Sequence, residues 1–333
     1  MTERRRFTLL LAALAALVAA LFAASLLIGP AALGLQESLA ALLRGDGDAA
    51  VLVMREIRLP RALLGLMIGA SLGLSGAVLQ GYLRNPLAEP GLIGAAPGAA
   101  LGAVLTIYTG LAATLPIALP VAGLFGAAAA VLLVQAMAGR AAGGLTLILA
   151  GVAVSSLASA LSALVLNLSS NPFAAMEIVH WMMGSLTDRS MLHVQLAAPF
   201  MAVGWAMLAG LGRGLDALTL GEDAARSLGV RMERLRLLAV LGSAAAVGAA
   251  TAVAGAIGFV GLVVPHLLRP AVGAQPSRLL PASALGGAAA VLAADVAVRL
   301  IAPERDLKLG VLTALVGAPF FFWLVLRARR RLA

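Results

Sequence analysis

Long apolar runs alternate with short polar stretches carrying arginine along the whole chain. The first run extends from Phe7 to Gly29, behind Arg4, Arg5 and Arg6. Nine more follow, at about 61–82, 92–112, 114–138, 145–167, 193–212, 235–255, 257–272, 281–302 and 309–327. About 20 apolar residues cross the hydrocarbon core of a bilayer. Backbone groups there have no water, so each segment must satisfy its own. The pattern predicts an all-α polytopic membrane protein of about ten transmembrane helices, forming one transmembrane domain over residues 1–333. The first run exceeds the roughly 7–15 apolar residues of a signal peptide, and many spans follow it, so it is read as a retained helix. The seventh and eighth runs divide at a turn over Gly255 to Gly258.

Ten spans put both termini on one side. Arg4 to Arg6 precede the first span, and Arg327, Arg329, Arg330 and Arg331 follow the last. The preference of basic loops for the cytoplasm makes both termini cytoplasmic. Sixteen of the 24 basic residues then lie inside, among them Arg84, Arg140 and Arg278, and eight lie outside. Arg55, Arg58 and Arg61 cluster on the outer side with Arg44, against the rule.

Composition agrees with lipid as the main solvent. Hydrophobic residues make up 62% of the 333, mean hydropathy is +1.02, and 12% are charged, against roughly 25% in soluble domains. The net charge of +9 is almost all arginine. Arginines strung between apolar spans set topology rather than bind nucleic acid. Cysteine is absent, which excludes disulfides and thiolate metal sites. The one lysine, Lys308, sits in Asp-Leu-Lys-Leu-Gly, which does not fit the Gly-Lys-Ser/Thr of a P-loop. No ATPase activity is expected of this chain.

Several segments carry candidate chemistry. The loop from Arg213 to Arg236 mixes Asp216, Glu222 and Asp223 with arginines. Gly221 and Gly229 bound a short predicted helix whose apolar face would be Ala224, Ala225, Leu228 and Val230. Such a helix suits docking of a soluble partner, or is an ordinary solvated loop. In the hairpin Arg84-Asn85-Pro86-Leu87-Ala88-Glu89-Pro90, the prolines stop helix and push Asn85 out of the α region. The stiff turn is a connector or narrows a pathway, with Asn85 and Leu87 constricting. His266 follows Pro265 in an apolar run, as a relay or a structural hydrogen-bonder. Trp181, Met182 and Met183 lie near the outer surface, as anchors or as a mouth touching a bulky apolar substrate. Asp295 and Arg299, four apart, fit an ion pair on one helix face, and Arg299 is also placed to face an acidic partner outside. Gly65, Gly69, Gly73 and Gly76 are spaced for close helix packing.

Six blocks give the chain a family resemblance. They are RLPR at 58–61, SGAVLQGYLRNPLAEPGLIG at 75–94, LGEDAARSLGV at 220–230, GFVGLVVPHLLR at 258–269, ADVAVRL at 294–300 and GVLTALVGAPFFFWL at 310–324. In this order they resemble the FecCD-type permeases, transmembrane subunits of ABC importers for iron-siderophores, haem and cobalamin. The resemblance implies a homodimeric type II ABC importer permease of ten helices per subunit in the bacterial inner membrane, with the pathway between the two copies. It implies two ATP-binding cassette subunits carrying ATP and Mg²⁺, no cofactor in this chain, and a periplasmic substrate-binding protein. By motif position, Arg58, Arg61 and Arg299 would meet acidic residues of that binding protein. The region Leu218 to Val230, with Leu218, Gly221, Glu222, Asp223, Ala224, Ala225, Arg226, Leu228 and Gly229, would couple to the ATPase. Asn85 and Leu87 would lie at the cytoplasmic gate. The chain departs from the family at PERDLKLGVLTA, where Lys308 replaces a proline of the outer hairpin. The alternative is a secondary transporter of a bulky solute, which would carry ionisable groups near mid-span. Asp295 is the nearest candidate for that role.

Overall fold

The computed structural model describes residues 3–29, 31, 33–43, 48–139, 143–302 and 305–332. Arg44 and Arg140 lie outside the described residues. Among these residues all regular structure is helical. Sixteen α-helices follow in order: α1 Glu3–Leu27, α2 Leu35–Leu43, α3 Ala49–Leu52, α4 Leu59–Tyr82, α5 Ala95–Tyr108, α6 Leu111–Thr114, α7 Ala118–Ala138, α8 Gly144–Asn167, α9 Pro172–Met182, α10 Met191–Ala209, α11 Gly212–Leu218, α12 Glu222–Ser227, α13 Met232–Ala254, α14 Val260–Leu268, α15 Pro276–Ile301 and α16 Leu309–Leu332.

Each of the ten apolar runs carries a helix, but they are not equal. Among the described residues seven are long and apolar enough to cross a membrane: α1, the continuous helix Ala49–Tyr82, α7, α8, α10, α13 and α15. Helix α5 and the apolar part of α16, Leu309–Leu324, are shorter. The run at 257–272 differs most from expectation. Only nine of its residues form α14, a rise of about 13.5 Å, less than half the roughly 30 Å hydrocarbon core. Its ends explain the shortness. Gly255 closes α13 with φ +74, Phe259 is left-handed at φ +67, and Pro270 opens a 3₁₀ turn. The stretch before α4, expected to be a connector, is helical from Ala49. Pro60 has no N–H and would clash with the carbonyl one turn back, and a π turn over Val53–Arg58 absorbs this without breaking the helix.

Helix α4 is the central element, with most of its length buried. The glycine stripe meets two partners. A Cβ on Gly69 or Gly73 would overlap the carbonyl oxygens of Gly287 or Ser283 on α15, and one on Gly76 would overlap that of Gly261 in α14. These backbones touch, the arrangement by which helices associate in lipid. Gly65 meets only side chains, chiefly Leu292.

The end of this core where α1 terminates is tied by charge. Helix α1 has no basic residue in its last turn, and its final carbonyls have no intrahelical donors. Guanidiniums from α15 and from the π turn before α4 supply them. Arg58 Nη1 donates to the carbonyls of Leu26 at 2.9 Å and Leu27 at 3.0 Å, and Nη2 donates to Ala31. Arg299 donates to the carbonyl of Ser25 at 2.9 Å and to its Oγ at 2.7 Å. Positive charge at a helix C-terminus is favourable for the same reason. Asp295, 1% exposed, then pairs with both Arg61 at 2.9 Å and Arg299 at 2.7 Å. One carboxylate thus holds α4 and α15 together, and through Arg299 it holds α1.

At the opposite end, Arg278 of α15 pairs with Glu3 of α1 at 3.3 Å. His266, near the end of α14, meets Phe320 of α16 edge-on. Arg269, just beyond α14, donates to Gln80 of α4.

Replacing Asp295 with asparagine leaves the Arg61 and Arg299 guanidiniums, 14% and 8% exposed, without their carboxylate. The expected cost is about 3–5 kcal/mol, read as earlier thermal unfolding in detergent. Arg61→Gln leaves the Asp295–Arg299 pair intact and should cost less. Equal stability of D295N and the parent would rule out the triad as a tie.

Candidate functional site

At the end of the molecule where α15 begins, the largely buried α11 leads into α12, whose far side is exposed. Gly221 at φ +107 and Gly229 at φ +84 flank α12, so both predicted boundaries hold. The orientation of the helix departs from expectation. Ala225 is fully buried, and Leu218 with it, whereas Leu228 is 65% exposed. Leu228 belongs to the outer surface and not to the inward apolar face, because the chain has already left the helix there and turns at Gly229. Leu220, 70% exposed, stands at the other end of α12. Between them the solvent side carries Glu222, Asp223 and Arg226, with Arg226 at 3.6 Å from Glu222 and 4.0 Å from Asp223. Ala224 is half-buried. The result is a small knob of two leucines around a mixed charged ridge.

Asp216 fixes this knob to the bundle. Its Oδ1 accepts from Ser277 N–H at 2.8 Å and its Oδ2 from Gln275 at 3.2 Å. It thereby satisfies an orphan amide at the start of α15. Sequence reading named Asp216 only as a loop charge.

The hairpin after α4 is as stiff as its prolines require. Asn85 Oδ1 accepts from Leu87 N–H at 2.9 Å, and Arg84 takes φ +49. Asn85 and Pro86 are exposed, Leu87 is half-buried and Ala88 is buried. Glu89 turns inward, and its Oε1 accepts from Phe259 N–H at 2.8 Å. Burial pushes the Glu89 carboxyl up from its ordinary range, and the Phe259 N–H offsets this in part. A left-handed phenylalanine costs about 1–3 kcal/mol. Here it is held from both sides, by Glu89 at its amide and by Gly317 of α16 under its ring, where a Cβ would overlap the Phe259 side chain.

Gln80 completes the seating of α14. Pro265 has no N–H, so the Gly261 carbonyl one turn back lacks its helical donor. Gln80 Nε2 lies 3.4 Å from that oxygen and 3.1 Å from the Leu262 carbonyl. Its Oε1 accepts from Arg269 at 2.7 Å. The sequence marks Glu89 only as the carboxylate of the hairpin and gives Gln80 no role. The available signal was a polar side chain inside or beside an apolar run.

Met182 and Met183 line an open cavity of about 610 Å³ with Gly258, Phe259, Val311 and Ala314. Trp181 does not join them. It is 7% exposed and packs with Val104, Ile107 and Ile178. The cavity wall is small and apolar, with two thioethers and one aromatic edge.

The three arginines expected on the outer side do not present free heads. Arg58 is 3% exposed, and the side chains of Arg61 and Arg299 are 14% and 8% exposed. All three turn inward onto α1 and Asp295. These contacts close the last turn of α1 and balance Asp295. Lys308 pairs with Asp306 within its own hairpin.

Residues 17–327 match the FecCD transport family. The chain is 42% identical to the cobalamin import system permease protein BtuC of Halobacterium salinarum, over 84% of this chain and 75% of that one. It is 37% identical to the hemin transport system permease protein HmuU of Yersinia pestis, over 85% and 86%. It is also similar to a solved structure assigned as an inward-facing metal-chelate type ABC transporter, with TM-score 0.83 and 34% identity over 96% of this chain and 99% of that one. The chain belongs to the FecCD transport family of ABC transporter permeases.

Proposed function

We propose that this chain is the membrane subunit of an ATP-driven importer that carries a metal chelate inward. The chelate would be an iron-siderophore or a related species such as haem or cobalamin. In this reading the protein works as a homodimer in the bacterial inner membrane, with both termini cytoplasmic. Two ATP-binding cassette subunits bind ATP and Mg²⁺, and a periplasmic protein delivers the substrate. Relatives named for cobalamin and for hemin transport support the chelate class.

The observation that carries the proposal is the α12 knob. Two leucines stand exposed beside charged Glu222, Asp223 and Arg226 at the end where α1 begins. Exposed leucines ringed by charge suit a protein groove rather than bulk water. Asp216 gives the knob a rigid hold on α15. The hairpin with Asn85 and Leu87 serves as the gate at this same end, and the cavity beside Met182 and Met183 forms part of the pathway wall.

At the outer end, Arg61 is the member of the triad offered to an acidic binding protein, because its side chain is the most exposed of the three. Arg58 and Arg299 support it from behind. A carrier driven by an ion gradient is not favoured. It would need a carboxylate free to take up and release its ion; Asp295 is held by two guanidiniums, and Glu89 is engaged by the Phe259 amide.

Changing Leu220 and Leu228 together to serine should weaken association with the ATPase subunit by at least about tenfold, since each buried leucine is worth about 1.5–3 kcal/mol. Uptake should fall with it. Unchanged co-purification would move the docking elsewhere, and uptake that persists without ATP would sink the importer reading. Arg61→Gln should lower affinity for the binding protein several-fold at low salt, with the difference fading as salt screens it. An affinity equal to the parent's at low salt would remove Arg61 from the docking surface.

A further inference from the structure

Glu89 is a buried carboxylate for which the transport reading has no task. It belongs to the hairpin that carries Asn85 and Leu87, yet among the described residues its hydrogen bond runs to Phe259, 170 residues away. Phe259 borders the cavity with Gly258, Met182 and Met183. Its ring rests on Gly317 of α16, where no side chain would fit. Pro90, next to Glu89, lies against Gly261, where an added Cβ would come within 2.7 Å of the proline ring. The hairpin therefore touches the start of α14 twice, once by hydrogen bond and once by ring contact.

The local sequence supplies no substitute for Glu89. The backbone N–H of an N-cap residue is locally satisfied by a glutamate or glutamine side chain three residues on, at N3. At α14 the N-cap is Phe259 and N3 is Leu262, which has no acceptor to offer. The amide can be satisfied only from elsewhere, and Glu89 reaches it.

We propose that Glu89 is a positioning residue: by accepting the Phe259 N–H it makes the hairpin of Asn85 and Leu87 move as one body with the cavity wall on α14 and α16. This rests on the reading of that hairpin as the gate. Opening or closing at Leu87 then cannot occur without displacing Phe259, and a change in the cavity wall reaches the hairpin directly. The property required of Glu89 is acceptance of a hydrogen bond at a fixed reach. Its charge is not required, because Phe259 donates from a neutral amide.

The absence of cysteine provides a direct test. Leu87→Cys is introduced alone and with E89Q, E89D or E89A. Each permease is assembled with its ATPase subunits in lipid nanodiscs. The rate at which a maleimide labels Cys at position 87 is compared with and without a non-hydrolysable ATP analogue. Glutamine keeps an acceptor at the same reach, so E89Q should retain the parent's nucleotide-dependent ratio of labelling rates. In E89A the ratio should fall to about one. Where E89A fails to assemble, E89D carries the test, since it keeps the charge at too short a reach and should lose the ratio too. A full ratio in E89A or E89D overturns the latch while leaving the gate in place. Equal loss in E89Q and E89A makes charge the operative property and also overturns it. A parent whose labelling ignores nucleotide overturns the gate reading, and the latch with it.

Discussion

One carboxylate facing two guanidiniums holds together the end of this membrane protein where α1 terminates. Asp295 is almost completely buried, and Arg61 and Arg299 approach it from α4 and from its own helix. Charges removed from water are costly unless paired and hydrogen-bonded. The arrangement meets this requirement by sharing. Arg299 donates to Asp295 and also to the last turn of α1, and Arg58 supplies neighbouring carbonyls of the same turn. The unpaired carbonyls of one helix and the excess positive charge around Asp295 satisfy each other. This is why α1, α4 and α15 can end close together although α1 brings no cap of its own.

The same requirement recurs at the irregular part of the bundle. Non-helical backbone at membrane depth is tolerated only where protein groups or a water-lined cavity satisfy it. Helix α14 is short, begins at a left-handed residue and contains a proline, so its freed groups need outside partners. Glu89 takes the Phe259 amide, and Gln80 faces the Gly261 and Leu262 carbonyls. Both come from the segment 80–89. The close contact of Gly76 with Gly261 brings that segment within reach. The glycine stripe is thus a condition for the polar contacts as well as a packing device.

The parts legible in the sequence were those set by short-range rules. Apolar runs mark helices because lipid leaves the backbone no other partner. Gly221 and Gly229 bound α12 because the chain must take positive φ there. The Asp295–Arg299 pair follows from spacing on one helix. The parts that stayed hidden depend on distant neighbours. Arg61 meets Asp295 across 234 residues, so its inward turn could not be separated from an outward role. The burial of Trp181 against α5 and the exposure of Leu228 depend on how helices rotate in the bundle. The shortness of α14 was partly legible, since Gly255, Gly258, Pro265 and Pro270 crowd one apolar run. The length of that run alone hid it.

Helix α15 gives the two ends of the molecule a common element. Its 26 residues extend about 39 Å, enough to reach from one face of a bilayer to the other. Its first turn is held by Asp216 from the α11 segment, and its last turns carry Asp295 and Arg299. Along its length it lies backbone to backbone on α4 at Gly69, Gly73 and Gly287, with no flexible side chains between to absorb a shift. Closely packed interfaces of this kind move as units or switch between discrete packings; they do not deform gradually. Were α11 and α12 displaced, these contacts would pass the shift along α15 to the arginine cluster, and the Asp295 triad would decide which helices move with it.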